Sequence, residues 1–161
     1  MDILIVSDSH GRDERMKELV SRFKHLDMVI HAGDSEMYPS TLKSIFPYPL
    51  YAVRGNCDFQ PEYPQSLVIP LENHKIFVTH GHRYRVNSQY DLLCEAAKEN
   101  GADIAVFGHI HEPVVDDTDP DVLVLNPGSI SKPRQFDFRP TYMFLYIDDK
   151  TGKVEPRICY Y

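Results

Sequence analysis

The feature that most constrains this chain is a repeated arrangement in which a short apolar run ends in polar residues of the kinds that bind metals. The first run, residues 3–6, is followed at once by Asp8-Ser9-His10. The clusters that end later runs are Gly33-Asp34, Gly55-Asn56-Cys57-Asp58, His80-Gly81-His82 and Gly108-His109-Ile110-His111. Short apolar runs rich in β-branched residues are typical of strands buried on both faces. Ligands of open α/β sheets bind at the carboxyl ends of the strands, so the clusters can converge in space.

The spacing of apolar residues separates helices from strands. It predicts one amphipathic helix over residues 12–25, and a second that begins at Ser88 as a capping residue and ends at Gly101. The predicted strands are residues 3–6, 28–30, 50–53, 66–71, 75–79, 104–107, 113–116, 122–125, 142–147 and 154–160. Strand–helix–strand order in the first half implies a parallel sheet, whereas the last third contains strands alone. We therefore expect an α/β fold of two sheets with helices outside them.

Length, charge and cysteine content narrow the class of protein. The 161 residues fit a single domain over residues 1–161. Seventeen basic and 24 acidic residues give a net charge of −7, which disfavours long nucleic acid and anionic membranes as partners. No apolar run approaches the ~20 residues of a spanning helix, and no signal peptide is visible. The three cysteines form no C-x-x-C pair, so we expect free thiols and a cytoplasmic protein.

The polar clusters also have the spacing and the chemistry of metal ligands. Asp8 and His10 are two residues apart, as are His109 and His111, and residues two apart face the same side of an extended chain. Carboxylate, imidazole and amide donors together suit Mn, Fe, Zn, Ni or Mg. A single Gly-Asp or Asp-x-His is more often a turn, so the prediction depends on the whole ordered set.

The ordered series D-S-H, G-D, G-N-C-D, T-H-G-H and G-H-I-H resembles the calcineurin-like metallophosphoesterase family, and within it the small YfcE-type phosphodiesterase branch. The resemblance covers essentially the whole chain. It implies a four-layer α-β-β-α sandwich, in which two mixed β-sheets pack face to face with helices on the outer sides. It further implies that one ion is held by Asp8, His10, Asp34 and His111, and a second by Asp34, Asn56, His80 and His109.

The activity implied by this resemblance is binuclear, metal-dependent phosphoester hydrolysis. A water or hydroxide between two divalent ions would attack a small phosphorylated substrate, most simply a phosphodiester. Two divalent ions would also make the pocket of an acidic protein attractive to an anion. Mn²⁺ is the expected metal, with Ni²⁺, Mg²⁺, Fe²⁺ and Zn²⁺ as alternatives. A phosphomonoesterase acting on a small metabolite, and a protein-complex scaffold on the same fold, are the alternative functions.

Further residues are candidates for catalysis and substrate binding. Asn56, Cys57 and His82 are the candidate catalytic residues, and Arg12 and Arg134 are the candidate phosphate contacts. Cys57 occupies the position at which many members of the wider family carry histidine. Since a neutral thiol is a weak hydrogen-bond donor, either metal-bound water protonates the leaving group or the enzyme prefers good leaving groups and is slow on alkyl esters. His82 is a candidate to replace the missing acid, and the alternative interpretation of Cys57 is a small packed residue.

The remaining polar segments are interpreted as surface features. Residues 37–49, 60–65 and 131–139 are expected to be loops at the rim of the pocket, and Asn126-Pro127-Gly128-Ser129 is expected to close that rim. His25 and His74 are expected in solvent, and His31 beside the cluster that follows it. Ten tyrosines are compatible with an apolar patch for self-association, and hence with a homo-oligomer.

Overall fold

Ten strands and three helices make up the structure, a computed structural model that describes all 161 residues. The strands are β1 (Asp2–Val6), β2 (Met28–His31), β3 (Leu50–Ala52), β4 (Ser66–Pro70), β5 (Lys75–Thr79), β6 (Ile104–Val106), β7 (Pro113–Asp116), β8 (Leu123–Pro127), β9 (Thr141–Ile147) and β10 (Val154–Tyr160). The helices are α1 (Asp13–Ser21), α2 (Pro39–Ile45) and α3 (Asp91–Glu99). None of the three helices has the length and apolar character needed to cross a membrane.

The strands form two mixed five-stranded sheets. The first has the order β10-β9-β1-β2-β3, and the second has the order β4-β5-β6-β8-β7. Strands β1, β2 and β3 run parallel, as do β5, β6 and β8, whereas β9, β10, β4 and β7 pair antiparallel. The carboxyl ends of the parallel strands therefore lie at one edge of each sheet, which we call the ligand edge because every predicted ligand cluster follows one of these ends. The opposite edge, which holds the turns at 71–74 and 148–153, is the hairpin edge.

Three apolar cores separate the layers of the molecule. The largest lies between the sheets and contains Ile5 and Ile30 of the first sheet against Val78 and Val106 of the second. A second core packs α1 and α2 on the outer face of the first sheet, and a third packs α3 on the outer face of the second. Continuous apolar strands are thus buried on both faces, as their sequences predict. The prediction of a four-layer α-β-β-α sandwich is confirmed.

The predicted ends of two helices are wrong. Helix α1 ends at Ser21 rather than continuing to residue 25, because Phe23 leaves the helix and stacks on Phe144 with ring centroids 5.9 Å apart. Helix α3 begins at Asp91 and has no side-chain cap. Ser88 cannot cap it, since its hydroxyl donates to the carbonyl oxygen of Arg85 at 3.5 Å.

One helix was not predicted at all. Residues 37–49 were expected as a loop, but Pro39–Ile45 form α2. Pro39 occupies the first helical position, where a missing backbone N–H costs no hydrogen bond. Leu42 and Ile45 are buried against the first sheet. Only two core contacts in seven residues give too short an apolar pattern to distinguish a helix from a loop.

Candidate metal centre

The loops after β1 and β6, which carry four of the predicted ligands, share a rare backbone conformation. Asp8 and His10 have positive φ values of 53° and 46°, and His109 and His111 have values of 71° and 62°. We predicted that residues at this spacing face one side because the chain is extended, and that reason is wrong. Both members of each pair lie in left-handed backbone, which non-glycine residues seldom adopt. The local conformation, rather than strand alternation, sets where these side chains point.

The loop after β2 has the same conformation and pairs with the loop after β1. Asp34 has a φ of 54° and Glu36 a φ of 56°. The Asp8 N–H donates to the Gly33 carbonyl at 3.1 Å, and the His10 N–H donates to the Asp34 carbonyl at 3.0 Å. These bonds continue the pairing of β1 and β2 beyond the ends of both strands. The two loops therefore present their polar side chains next to each other.

A first cluster of ligand atoms forms between the loops after β1 and β6. Asp8 Oδ1 lies 3.0 Å from His111 Nε2, and His111 Nε2 lies 3.4 Å from His10 Nε2. The ligand atoms of all three residues lie within 4.8 Å of one another. On its other side, the His10 ring places Nδ1 2.6 Å from Glu36 Oε1. Three residues of the predicted first metal site are thus brought together.

A second cluster forms around His80, directly after β5. His80 Nε2 lies 3.3 Å from Asp34 Oδ2 and 4.0 Å from Asp8 Oδ1. The ring of His109 is adjacent, with its centroid 5.3 Å from that of His80. Asp8 therefore belongs to both clusters. That Asp34 is the residue shared by two ions stays a prediction.

Two of the imidazoles are oriented by main-chain carbonyl groups. His111 Nδ1 lies 2.6 Å from the carbonyl oxygen of Lys132, and His80 Nδ1 lies 2.7 Å from that of Ala32. A carbonyl oxygen can only accept, so Nδ1 carries the proton and donates in each case. When the ring is neutral, each Nε2 consequently presents a lone pair towards the carboxylates, which is the orientation that a metal ligand requires.

The two central carboxylates are oriented by donors on their outer sides. Asp8 Oδ2 accepts hydrogen bonds from the Ser7 hydroxyl at 2.6 Å and from the His109 N–H at 3.1 Å. Asp34 Oδ1 accepts one from the Cys57 N–H at 2.7 Å. One oxygen of each carboxylate is thereby held by the protein. The other oxygen, Oδ1 of Asp8 and Oδ2 of Asp34, faces the imidazoles.

Asp58 joins the loops after β2 and β3, and sequence reasoning assigned it no role. Its buried carboxylate accepts hydrogen bonds from the N–H groups of Asp34, Glu36 and Gly55 at 2.8, 2.6 and 2.8 Å. It also accepts one from the Ser35 hydroxyl at 3.1 Å. One side chain thereby satisfies four donors and holds the left-handed loop in place. Its position at the end of G-N-C-D was the only available signal.

Two glycines allow the loops to approach the ligands closely. A Cβ at Gly55 would overlap the carboxylate of Asp34. Gly33 has a φ of 94°, and a Cβ there would collide with the ring of His80. Glycine is therefore required at both positions, at Gly55 by close contact and at Gly33 by close contact and conformation together.

The donor set fits a divalent cation. Asp8 and Asp34 are almost completely buried, and within 4.0 Å their carboxylates meet imidazoles but no Lys or Arg. Burial opposes ionisation of Asp34, but His80 and the Cys57 N–H outweigh it and hold the pKa of Asp34 well below its usual range. Asp8 Oδ1 and His80 Nε2 are buried without any hydrogen bond. Buried charges need a partner, and a cation between these atoms would satisfy both.

The candidate catalytic residues border these clusters. The Asn56 side chain is exposed, and its amide Nδ2 lies 3.3 Å from Cys57 Sγ. Burial, followed by the hydrogen bond and charge of Asp34, raises the pKa of the Cys57 thiol to about 11. The ring of His82 lies beside those of His80 and His109, at 5.6 and 6.2 Å between centroids. His82 is thus next to the second cluster.

The candidate phosphate contacts are exposed and lie in loops that adjoin the ligands. Arg12 follows His10 and Gly11 at the start of α1. The Arg134 N–H donates to the His111 carbonyl at 3.1 Å. The positive charge of Arg134 also contributes to lowering the pKa of His109, after burial and His80. Both arginines therefore lie in loops next to the clusters, and their contact with a phosphate stays a prediction.

Exposed aromatic residues are concentrated in the same loops. The four most exposed large apolar side chains are Phe136, Phe59, Phe138 and Tyr38, at 98, 84, 70 and 66%. Every other exposed large apolar side chain is at most 45% exposed. Tyr38 and Phe59 follow Asp34 and Asn56 in the loops after β2 and β3, and Phe136 and Phe138 lie in the loop after β8, next to Arg134. We call them the aromatic rim.

Two surface predictions near the site and at the hairpin edge are wrong. Asn126 and Ser129 are completely buried rather than at a rim, and the Ser129 hydroxyl donates to the Asp8 carbonyl at 2.8 Å. His74 is not solvated, since Nδ1 lies 2.5 Å from Asp103 Oδ2 and Nε2 lies 2.7 Å from the Gly152 carbonyl.

Sequence comparisons relate this chain to phosphoesterases. A family model described as the calcineurin-like phosphoesterase superfamily domain matches residues 1–150. The probable metallophosphoesterase YsnB of Bacillus subtilis is 37% identical over 135 residues, which are 83% of this chain and 78% of that protein. The phosphodiesterase YfcE of Escherichia coli is 33% identical over 97 residues, which are 54% of this chain and 47% of that protein.

Solved structures with the same fold include proteins described as phosphoesterases and one described as a vacuolar sorting protein. A Streptococcus pneumoniae protein described as a predicted phosphoesterase superposes with a TM-score of 0.81 at 32% identity, covering 99% of this chain and 97% of that chain. Escherichia coli YfcE superposes with a TM-score of 0.68 at 23% identity, covering 98% of both chains. Vacuolar protein sorting 29 of Cryptosporidium parvum superposes with a TM-score of 0.76 at 22% identity, covering 99% of this chain and 97% of that chain. The last two likenesses establish the fold alone.

Proposed function

The chain belongs to the calcineurin-like phosphoesterase superfamily, and we propose that it hydrolyses a small phosphodiester at a centre that holds two divalent ions. The family prediction is confirmed by the family model and by the metallophosphoesterase relative YsnB, and YfcE is among the proteins that the chain resembles. The prediction of a metal-dependent phosphoesterase is confirmed at the level of enzyme class. The substrate and the two-ion arrangement are our proposal.

The observation that carries the proposal is the pair of ligand clusters that meet at Asp8. One cluster contains Asp8, His10 and His111, and the other contains Asp8, Asp34 and His80. A single small ion would leave part of this donor set without a partner. The full ligand sets are those implied by the family resemblance: Asp8, His10, Asp34 and His111 for one ion, and Asp34, Asn56, His80 and His109 for the second. In this assignment Asp34, which lies beside Asp8 in the second cluster, is the ligand that both ions share.

During hydrolysis, negative charge builds up on the oxygen atoms bound to phosphorus. The site must stabilise this charge. Divalent ions held by these residues would supply Lewis acidity, which offsets that charge and makes water a better nucleophile. The protein contributes rigid ligands: outward-facing bonds hold Asp8, Asp34, His80 and His111, so little reorganisation is needed when substrate binds. Arg12 and Arg134 bind phosphate oxygens at the open side of the centre. His82 and Cys57 border the position of the leaving group.

The aromatic rim supports a diester rather than a monoester. A monoester presents one organic group, whereas a diester presents two, and one of these must remain outside the ion-binding pocket. Exposed phenylalanines beside a phosphate site offer apolar contact area for such a group. The rim therefore favours a substrate with an organic group on each side of the phosphate.

The metal, the cellular compartment and the size of the substrate are proposed from the residue types of the chain. Mn²⁺ is our choice of metal, because imidazole and carboxylate ligands suit it and no thiolate is required. Three unpaired cysteines fit a cytoplasmic protein in a reducing compartment. A small phosphorylated metabolite fits the net charge of −7 better than a polyanion does.

The proposal is tested by measuring ion binding and hydrolysis together. We expect Mn²⁺ titration of the metal-free full chain by calorimetry to give two ions per chain. We expect the loaded protein to hydrolyse bis(p-nitrophenyl) phosphate faster than p-nitrophenyl phosphate. A stoichiometry of one would contradict the two-ion centre, and a faster monoester reaction would favour the phosphomonoesterase alternative. If no divalent ion binds and neither ester is hydrolysed, the result would contradict the proposal and favour the scaffold alternative.

A further inference from the structure

We propose that Glu36 is a positioning residue that fixes the tautomer of His10, so that His10 Nε2 is the atom presented to the metal centre. The inference rests on the proposed function only in taking the cluster around Asp8 as a cation site. Glu36 belongs to no sequence motif and is not one of the predicted site residues.

The contact between the two side chains determines where the imidazole proton lies. Glu36 Oε1 is 2.6 Å from His10 Nδ1, and a carboxylate oxygen accepts but does not donate. Nδ1 therefore carries the proton. Nε2 is left with its lone pair, and it lies among the ligand atoms of Asp8 and His111.

His10 differs from the other anchored imidazoles in the charge of its partner. His80 and His111 donate from Nδ1 to uncharged main-chain carbonyl groups, whereas His10 donates to a carboxylate. Hydrogen bonds to a charged acceptor are stronger than those to a neutral one. A carboxylate on the far side of a ligating imidazole also increases the basicity of the ligand. Glu36 therefore orients His10 and strengthens it as a metal ligand.

The backbone gives an independent reason to connect Glu36 with the centre. Eight non-glycine residues have positive φ, and five of them are predicted metal ligands. Glu36 belongs to the same pattern, because it lies two residues after Asp34, as His10 follows Asp8 and His111 follows His109. Its left-handed conformation is held by the hydrogen bond of its N–H to Asp58 Oδ1 at 2.6 Å. Strained backbone of this kind persists where the surrounding structure requires it.

A direct role of Glu36 as a ligand is the competing interpretation. Ligand atoms of His10, Glu36 and Cys57 lie within 4.8 Å of one another. However, the 2.6 Å contact places the Glu36 oxygen on Nδ1, on the side of the ring away from Asp8 and His111. The geometry therefore favours positioning over coordination.

The test compares the tautomer of His10 with metal affinity in matched variants. The full chain is labelled with ¹⁵N-histidine, and the His10 signals are identified by their loss in His10→Gln. At a pH well above the usual histidine range, two-bond ¹H–¹⁵N spectra of the metal-free protein report which ring nitrogen carries the proton. Mn²⁺ affinity is measured on the same samples by calorimetry.

In the wild type we expect protonated Nδ1. In Glu36→Gly, which suits the left-handed backbone and removes the carboxylate, we expect Nδ1–H to be lost from part or all of the population. We expect its Mn²⁺ affinity to fall about 10–100-fold, as is usual when the partner of a metal-binding histidine is removed. Glu36→Gln can still accept from Nδ1 and should keep the tautomer with an intermediate affinity. Arg85→Gly makes the same change at another left-handed residue, with a φ of 53°, and should alter neither measurement.

Each contrary outcome has a distinct meaning. If Glu36→Gly keeps both the tautomer and the Mn²⁺ affinity of the wild type, the inference is wrong. If affinity falls in Glu36→Gly and Glu36→Gln alike with the tautomer unchanged, Glu36 is a ligand and not a positioning residue. If the wild-type protein binds no Mn²⁺, the proposed function fails, while the tautomer measurement still decides whether Glu36 orients His10.

Discussion

The ligand edge and the hairpin edge of this protein both need left-handed backbone, but only the ligand edge places non-glycine residues in it. At the hairpin edge the left-handed positions are occupied by Gly101 and Gly152, with φ values of 67° and 70°. All eight non-glycine residues with positive φ lie in loops at the ligand edge: Asp8, His10, Asp34, Glu36, Arg85, His109, His111 and Phe138. One edge turns the chain at little cost, and the other accepts strain in order to aim side chains.

This difference between the edges indicates that the backbone of the ligand edge serves to orient the ligand side chains. A left-handed non-glycine residue costs about 1–2 kcal/mol, so six such residues in the three ligand loops are a substantial burden for a small protein. Backbone bonds between the loops after β1 and β2, together with the Asp58 carboxylate, oppose this cost. The hairpin edge needs no such support, because glycine adopts the conformation readily.

The strongest test of the ligand edge is Asp34→Asn. The substitution keeps the size of the side chain and its contact with the Cys57 N–H, but it removes the charge beside His80. We expect Mn²⁺ affinity and diester hydrolysis to fall by at least the ~100-fold that loss of a ligand's partner can cause. Calorimetry and steady-state kinetics on the same preparation measure both. Wild-type activity in the variant would exclude Asp34 as the shared ligand.

A pair of glycine substitutions compares the two edges directly. Gly55→Ala places a methyl group on the Asp34 carboxylate, and we expect loss of Mn²⁺ binding with about 1–3 kcal/mol of destabilisation. Gly152→Ala meets no atom closer than 3.6 Å, so only its positive φ matters. We expect it to cost about 1–2 kcal/mol and to leave Mn²⁺ affinity unchanged. Urea unfolding and metal titration of both variants measure the contrast, and equal effects on metal binding would remove the distinction between the edges.

The smallest effect, on the free energy of unfolding, is expected from His74→Gln at the hairpin edge. Partial burial lowers the pKa of His74, but the hydrogen bonds to Asp103 and the Gly152 carbonyl outweigh it and raise the pKa above its usual range. Below about pH 6.5 the ring is charged in the folded and unfolded chains, so its stabilising contribution is complete there. The contribution is lost as pH rises through the raised pKa of the folded protein.

We therefore expect His74→Gln to destabilise the metal-free protein by about 0.5–1 kcal/mol in acid and by less in alkali, since Asp103 is partly exposed. Urea unfolding of both proteins across this pH range measures the difference. Taking the difference between variant and wild type cancels the titration of the ligand-edge histidines. A larger effect in alkali than in acid would show that His74 is not charged in the folded protein.

The sheets could be predicted from sequence because their strands are continuous apolar runs buried on both faces. Runs such as residues 3–6 and 104–107 admit few other interpretations, and their order implies two layers. Helix α2 was missed because its apolar pattern is too short. The ends of α1 and α3 were wrong because tertiary contacts of Phe23 and a local bond of Ser88 decided them.

The ligand set was accessible to sequence reasoning, but its supporting residues were not. Histidine and aspartate beside glycine at strand ends are conspicuous, whereas Glu36 is an ordinary surface residue by composition. Its two-residue spacing from Asp34 was the available signal, and the same spacing was used for Asp8 and His10. Asp58 has no signal beyond its motif, since its role depends on four donors that the fold brings together.

The carbonyl anchor of His111 has a consequence for engineering this protein. Lys132 is exposed and contributes a main-chain oxygen, which every other residue would supply equally well. A library that varies side chains in the loop at 131–139 should therefore leave the imidazole aimed correctly. One residue inserted or deleted between the buried Ser129 and Lys132 would instead shift that oxygen by about 3.8 Å, the length of one peptide unit. Substrate range can thus be explored by substitution in this loop, provided that the spacing between Ser129 and Lys132 is kept.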